Sequence, residues 1–299
     1  MRFIDRYFYK PSIFQKILVF LFLPISLIYY VSSILRRKAS RSIDFEIPII
    51  SVGNLIAGGS GKTPFIIEIA KEYMDVAIIS RGYKRKSKGL VIVSQNGKIM
   101  CAQKEAGDEA YLIAKKLKNA TVIVSKKRAL AIQKAKELGC KAIFLDDGFR
   151  FNFKKLNILL KPKLEPYFKL CIPSGMYRER PSLYKIADIL AIEGVDYKRK
   201  VKINNQTQRM LLVTAIANPS RLDEYLPDTI GKITLNDHSD FNMNQLQIEF
   251  QKHSATSILV TQKDEVKLKD SPIPLSIMEL ELEINPNIKK SIYDYIHSY

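Results

Sequence analysis

The chain has 299 residues, enough for about two domains at roughly 150 residues each and for a sizeable core. Its 48 Lys+Arg against 30 Asp+Glu give a formal net charge of +18, which suits polyanionic partners: nucleic acid, anionic lipid or a phosphorylated substrate. The three cysteines, Cys101, Cys140 and Cys171, lie far apart without a CxxC pair, which argues against a disulfide framework or a zinc site and fits reduced thiols in a cytosolic compartment.

In chain order, the first element is an uncharged run from Ile17 to Leu35, "ILVFLFLPISLIYYVSSIL". As one helix it would reach about 28 Å at 1.5 Å per residue, close to the hydrocarbon thickness of a bilayer. Ser12 and Gln15 form a capping-box start before it, and Pro24 marks a kink within it. Tyr29 and Tyr30 suit a membrane interface. Arg2, Arg6, Lys10 and Lys16 precede the run, and Arg36, Arg37, Lys38 and Arg41 follow it, so the flanks set no orientation. Two placements stay open: a span, or a helix in one leaflet with its basic flanks on anionic headgroups. Residues 1–38 are expected to anchor the chain to a membrane. A cleaved signal peptide fits less well, because no small-residue cleavage site follows. A buried core helix also fits less well, because so long an apolar run with basic flanks is unusual in a soluble core.

From residue 46 strands and helices alternate. "IPIISV" (47–52), "VAIIS" (76–80), "TVIVS" (121–125) and "KAIFL" (141–145) read as buried strands. Helices are expected from Lys62 to Met74, from Asp108 to Lys118 and over "KRALAIQKAKEL". Asn96-Gly97 joins "LVIVS" and "KIMCA" as a hairpin. Such alternation predicts an α/β fold with a mostly parallel sheet covered on both faces. The charged stretch "EGVDYKRKVKINNQTQRM" (193–210) reads as a hinge, after which a second, smaller α/β unit begins. The expected organisation is an anchor over 1–38, a phosphate-loop domain over 39–195, a hinge over 196–209 and a C-terminal α/β domain over 210–299.

The chemistry begins at "SVGNLIAGGSGKTPF" (51–65). A strand, a glycine-rich turn, Lys-Thr and a helix are the context of a phosphate-binding loop, although Ile56 stands where the strict pattern has Gly. Gly58, Gly59, Ser60 and Gly61 would let backbone N–H groups close around phosphate oxygens. Lys62 would reach the β- and γ-phosphates, and the Thr63 hydroxyl would bind Mg²⁺. In "AIFLDDGFRF" (142–151), Asp146 and Asp147 end a buried strand, where an acid beside such a loop holds the metal. Asp108 in "GDEAYLIAKKL" reads as a helix cap or a catalytic carboxylate. The loop "SRGYKRKSKG" (80–89) places Arg81 among four further cations, a face for an anionic substrate or membrane. "PSGMYRERPS" carries Arg178, Glu179 and Arg180, and "LNDHSDF" carries His238 in a polar turn.

Together, "SVGNLIAGGSGKTP", "SRGY", "GDEAYLIA", "DDGF", "PSGMYRE", "DHSDF" and "VTQKDEVKL" resemble, in this order, the tetraacyldisaccharide 4′-kinases, the lipid A pathway kinases of Gram-negative bacteria. The resemblance covers about residues 1–283, and Ile56 is itself characteristic of that family's loop. It implies ATP- and Mg²⁺-dependent phosphorylation of the 4′-hydroxyl of a lipid disaccharide 1-phosphate, giving lipid IVA, at the cytoplasmic face of the inner membrane. It implies two α/β domains joined by a hinge, with the cleft between them as the site. A monomer is expected, and no nucleic-acid partner, because no recognised motif supports one and the membrane explains the charge better. By the same resemblance Asp108 is the general base, His238 its partner across the cleft, and Lys62 and Thr63 serve ATP and Mg²⁺. Asp146, Asp147 and Glu179 are the acids near the metal, and Arg81, Arg128 and Arg178 are the cations facing substrate. One departure stands out: the family often continues "DDGF" with Gln-His, whereas Arg150 and Phe151 stand here. A membrane-associated phosphate-loop ATPase for assembly or partitioning would explain the loop and the charge, but not the "GDEA", "MYRE" and "DHSDF" set.

Overall fold

The computed structural model describes residues 3–38, 42–58, 61–216, 219–237, 239–268 and 271–299. Gly59, Ser60 and His238, three of the expected site residues, lie outside the described residues.

The chain opens with three helices, α1 (Phe3–Tyr9), α2 (Ile13–Leu21) and α3 (Leu23–Lys38). Ser12 and Gln15 form the expected capping box at the start of α2. The run expected as one helix is two, bent by 52°. Phe22 closes α2 with its N–H on the Leu18 carbonyl, and Pro24 then falls in the first turn of α3, where its missing N–H breaks no intrahelical bond. Among the described residues no single helix is long and apolar enough to cross a membrane; α2 and α3 meet that length and composition only as a bent pair. Val19, Ser26 and Ser33 face the protein, whereas Ile13 (81% exposed), Phe14, Phe20, Leu21 and Ile28 (70%) face outward. Tyr29 and Tyr30, expected at a membrane interface, instead pack against the cluster of Leu55, Ile56, Phe149 and Tyr177.

The first sheet and its covering helices follow as β1 (Ile49–Gly53), α4 (Lys62–Ala70), β2 (Val76–Ser80), β3 (Val91–Gln95), β4 (Lys98–Ile99), α5 (Gln103–Ala106), α6 (Asp108–Lys116), β5 (Ala120–Val124), α7 (Arg128–Glu137), β6 (Ala142–Asp146), β7 (Leu156–Lys161) and β8 (Ile189–Ile192). The strand order is β4-β3-β5-β2-β6-β1-β7-β8, parallel except for the β3–β4 hairpin at one edge. β1, β2, β5 and β6 are buried along their whole length, as strands covered on both faces must be. One face packs Ile50, Val52 and Phe144 against Phe65, Ile66 and Ile113. The other packs Ile49, Ala77 and Ile143 against Ala131, Ile132 and Ala135 of α7. Because β2, β6 and β1 are adjacent and parallel, their carboxyl ends bring Ser80, Asp146 and Gly53 to one edge. Ligands bind at such strand ends in open α/β sheets.

The second sheet contains β9 (Tyr197–Asn204), β10 (Met210–Thr214), β11 (Thr229–Thr234) and, after α8 (Met243–Lys252), β12 (Ser257–Thr261), then α9 (Gln262–Glu265), β13 (Leu275–Ile284) and the last helix α10 (Pro286–His297). Its order is β11-β10-β12-β13-β9, with only β9 antiparallel to its neighbour. The segment expected as a hinge, 196–209, is therefore largely an edge strand. Its lysines alternate with Tyr197, Val201 and Ile203, a period-two pattern with one face solvated, and Lys200 pairs with Glu283 across the ladder at 3.0 Å. The expected C-terminal unit of 210–299 is not self-contained either. Ile288 and Ile292 of α10 join the core of the first sheet, with Leu282 and Ile284 of β13.

Candidate active site

The phosphate loop connects β1 to α4 as expected. Gly61 is the N-cap of α4 at φ 81°, and Gly58 has φ 94°, both in the left-handed region that favours glycine. Among the described residues no side chain caps α4, and helix N-termini of this kind bind anions. Ile56 serves another purpose than the glycine it replaces. It is buried, pairs with Tyr177 in an antiparallel bridge, and is followed by the Ala57 N–H on the Met176 carbonyl at 2.8 Å. The loop is thus pinned to the "PSGMYRE" segment.

Lys62 Nζ donates to Asn54 Oδ1 at 3.0 Å and lies 3.8 Å from Asp147 Oδ1. Arg178 grips Asp147 through both terminal nitrogens, each at 3.0 Å, and also donates to Asn54 Oδ1. Burial alone would raise the Asp147 carboxyl, but Lys62 and Arg178 outweigh it and hold the group below its ordinary value. Asp146 behaves oppositely. Burial pushes it up to about 6 against the pull of Lys62. One of its oxygens accepts from Ser80 Oγ at 3.0 Å, while Oδ1 is buried without a partner among the described residues. Two adjacent acids therefore sit in different states: one neutralised by cations, one with an unused oxygen.

Three further expected site residues have these surroundings. Glu179 is buried and paired with Arg150 Nε at 2.9 Å, and among the described residues no three candidate ligands gather into a metal cluster. Arg128 is 4% exposed; its guanidinium bonds the Ser125 and Asp146 carbonyls and lies 5.7 Å from the Phe151 ring. It braces the strand end that carries Asp146. Arg81 is exposed, one residue beyond Ser80. The Arg150-Phe151 pair has structural partners: Arg150 donates to Tyr29 Oη and the Arg178 carbonyl, and Phe151 stacks on Phe153.

Asp108 is not the cap of α6. Gly107, at φ 85°, holds the N-cap position, and Asp108 is the first helical residue. Its carboxylate is 7% exposed and serves side chains instead: Lys267 Nζ at 3.0 Å on Oδ2, and Gln103 Nε2 on Oδ1. Lys267 also donates to the Ser239 carbonyl at 2.9 Å and lies 5.9 Å from the Phe241 ring. It thereby ties Asp108 to the turn that contains the "DHSDF" motif. Lys263 joins Glu109 (3.7 Å) to Asp237 (3.2 Å), and Lys84 reaches the Asp237 carbonyl at 3.0 Å. Between the loop and the second sheet lies a cavity of about 460 Å³. Gly58, Gly61, Lys62 and Thr63 line one side, and Val201, Met278 and Leu280 the other.

A family model described as Tetraacyldisaccharide-1-P 4'-kinase matches residues 18–297. The chain belongs to that family. It is similar to the tetraacyldisaccharide 4'-kinase of Helicobacter acinonychis (strain Sheeba), 58% identical over 99% of this chain and 96% of that protein. It is also similar to the one from Aliarcobacter butzleri (strain RM4018), 47% identical over 99% and 97%. Its fold matches a crystal structure of an "apo" form LpxK from Aquifex aeolicus in complex with ATP, with a TM-score of 0.77 and 28% identity over 93% of this chain and 99% of that one.

Within this kinase family framework, the residues that sequence reasoning missed are Asn54 and Lys267. Asn54 was readable as a polar residue between strand and loop, yet its bonds to Lys62, Arg178 and the Ile56 carbonyl (2.8 Å) require the folded loop. Lys267 lay inside a quoted motif, but its partner Asp108 is on the other sheet's helix.

Proposed function

We propose that the chain transfers the γ-phosphoryl group of ATP to the 4′-hydroxyl of a tetraacyldisaccharide 1-phosphate. The observation that carries the reading is Lys62, fixed by Asn54 and Asp147 at the start of α4 and opening on the cavity with Thr63. That is a cation poised where a phosphate would meet a helix N-terminus. The apolar walls of the cavity suit the adenine base.

In this reading Asp108 accepts the proton of the 4′-hydroxyl as its oxygen bonds to the γ-phosphorus, and the bond to the β-phosphate oxygen breaks to release ADP. Lys267 and Gln103 hold the Asp108 carboxylate in place. Residues Asp237 and Ser239, on either side of His238, are gripped by Lys263, Lys84 and Lys267, which supports His238 as the partner of Asp108. The residues present fit a Mg²⁺ ion, which needs only one or two protein oxygens beside phosphates: Asp146 Oδ1, without a partner among the described residues, and the Thr63 hydroxyl would hold it. Such an ion would neutralise charge developing on the transferred group. Glu179 and Arg128 then act by bracing the surrounding segments.

The same reading gives the outward apolar face of α2 and α3 its purpose. Each buried acyl CH₂ contributes about 0.8 kcal/mol, so a tetraacylated sugar stays in its bilayer and the enzyme must dock there. The basic flanks favour the anionic cytoplasmic leaflet of the inner membrane. Incubation with ATP, Mg²⁺ and the lipid disaccharide 1-phosphate, followed by mass analysis, should show one added phosphate on the lipid. An unmodified lipid beside accumulating ADP would replace this reading with that of an ATPase.

A further inference from the structure

The strand expected as a hinge carries a cation that the reaction above leaves unused. Arg199 lies on β9 of the second sheet, opposite Leu282 of β13. Its Nε is paired with Glu193 Oε1 at 2.5 Å, which fixes the plane of the guanidinium. Its Nη2 is buried and has no hydrogen-bond partner among the described residues. That nitrogen lies 3.3 Å from the point a Cβ would occupy on Gly61, the N-cap of α4. Arg199, Gly61, Lys62 and Thr63 all line the same cavity.

A buried donor on a charged group without an acceptor is more unfavourable than a neutral one. Such an atom in a native fold calls for an acceptor that arrives with a ligand. Beside the first N–H groups of a helix and a phosphate-loop lysine, that acceptor is anionic oxygen. The planar fork of arginine lets one nitrogen hold Glu193 while another faces the ligand. We propose that Arg199 is a triphosphate-binding residue, its Nη2 donating to a phosphate oxygen of the nucleotide held by the loop at 58–63. The proposal rests on reading the cavity as the ATP site. It makes the bound triphosphate a bridge between the sheets, gripped by Lys62 from the first and by Arg199 from the second. It also gives Gly61 a second constraint besides its φ of 81°: a side chain there would meet the arginine.

The test is calorimetric binding of ATP, ADP and adenosine to the full chain and to three variants, Arg199→Gln, Arg199→Lys and the double variant Arg199→Gln with Glu193→Gln. Arg199→Gln is expected to weaken ATP and ADP by roughly 10- to 100-fold, the range for a hydrogen bond to a charged group, and to leave adenosine within about twofold. Arg199→Lys should lose ATP affinity too, because one ammonium cannot serve Glu193 and the phosphate together. The double variant should stay weak. Unchanged ATP affinity in Arg199→Lys and Arg199→Gln would overturn the proposal. So would recovery in the double variant, which would trace the loss to an unpaired Glu193, or an equal loss for adenosine. A wild-type chain that binds no ATP would instead remove the nucleotide reading on which the proposal stands.

Discussion

The phosphate side and the acceptor side of this site are held together by different means. On the phosphate side, Asp146 ends β6, and Asn54, Lys62 and Asp147 follow the ends of the neighbouring strands β1 and β6, where Lys62 finds Asn54 and Asp147. On the acceptor side, Asp108 on α6 is held by Lys267, which follows β12 and α9 of the other sheet. Three more ion pairs run along the same helix: Glu109 with Lys263, Lys115 with Glu265, and Lys116 with Glu279. The first side is organised by contacts within one sheet and its loops. The second is assembled by charge across two sheets. The Lys62–Asn54–Asp147 arrangement should therefore survive changes that separate the sheets, whereas the Asp108–Lys267 pairing should not.

The sharpest way to break this comparison is Asp108→Asn. It keeps the size of the side chain and removes the proposed base, so kcat should fall on the order of 10²–10⁴-fold while ATP affinity, measured by calorimetry, stays near wild type. A parallel loss of ATP affinity would show that the two sides are not separable. Lys62→Ala probes the other side. Its charge serves phosphates and not the core, so the melting curve should hold while kcat/KM falls roughly 10²–10³-fold, the scale for removing one preorganised donor. Near wild-type turnover in that folded variant would remove the phosphate-loop assignment.

Lys267→Met should have a smaller effect, about 10-fold on kcat, because it acts through Asp108. In the Asp108→Asn background the same substitution should cost almost nothing further, since residues acting as a unit are non-additive. Equal losses in both backgrounds would mean that Lys267 serves only the fold. The smallest effect on chemistry belongs to the outer face of the first helices. Phe20→Ser with Ile28→Ser should reduce binding to anionic vesicles several-fold in a flotation assay and leave turnover of detergent-dispersed substrate unchanged. These substitutions probe the face more cleanly than deletion, because Ser26 and the Val19 carbonyl hold Ser174, and Tyr29 donates to the Arg178 carbonyl.

The same division explains what the sequence made legible. The strand–turn–helix around Lys62, the buried strands and the Ser12 capping box are local: each follows from residues within a dozen positions of one another. The hidden features are long-range or ambiguous. β9 reads as a linker because lysines dominate it, and its alternation gains meaning only beside β13. Asp108 reads as a cap because Asp favours that role, yet Gly107 takes it by adopting φ 85°. Lys267 and Asp108 are far apart in sequence, so no spacing could pair them. The run at 17–35 is uncharged throughout; Pro24 signals its bend, and the closure at Phe22 makes that bend a break between two helices. The last helix shows no motif, and its place on the first sheet follows from Ile288 and Ile292 finding that core.

The most direct test of the account is whether ATP turnover waits for the acceptor. ADP release should be measured with and without the lipid disaccharide 1-phosphate, alongside phosphorylated lipid formed in the same tubes. The account predicts ADP and phospholipid product in equal amounts, with little ADP when the lipid is omitted, because the phosphate side alone lacks a nucleophile held by Asp108. ADP released at the same rate without lipid would contradict it.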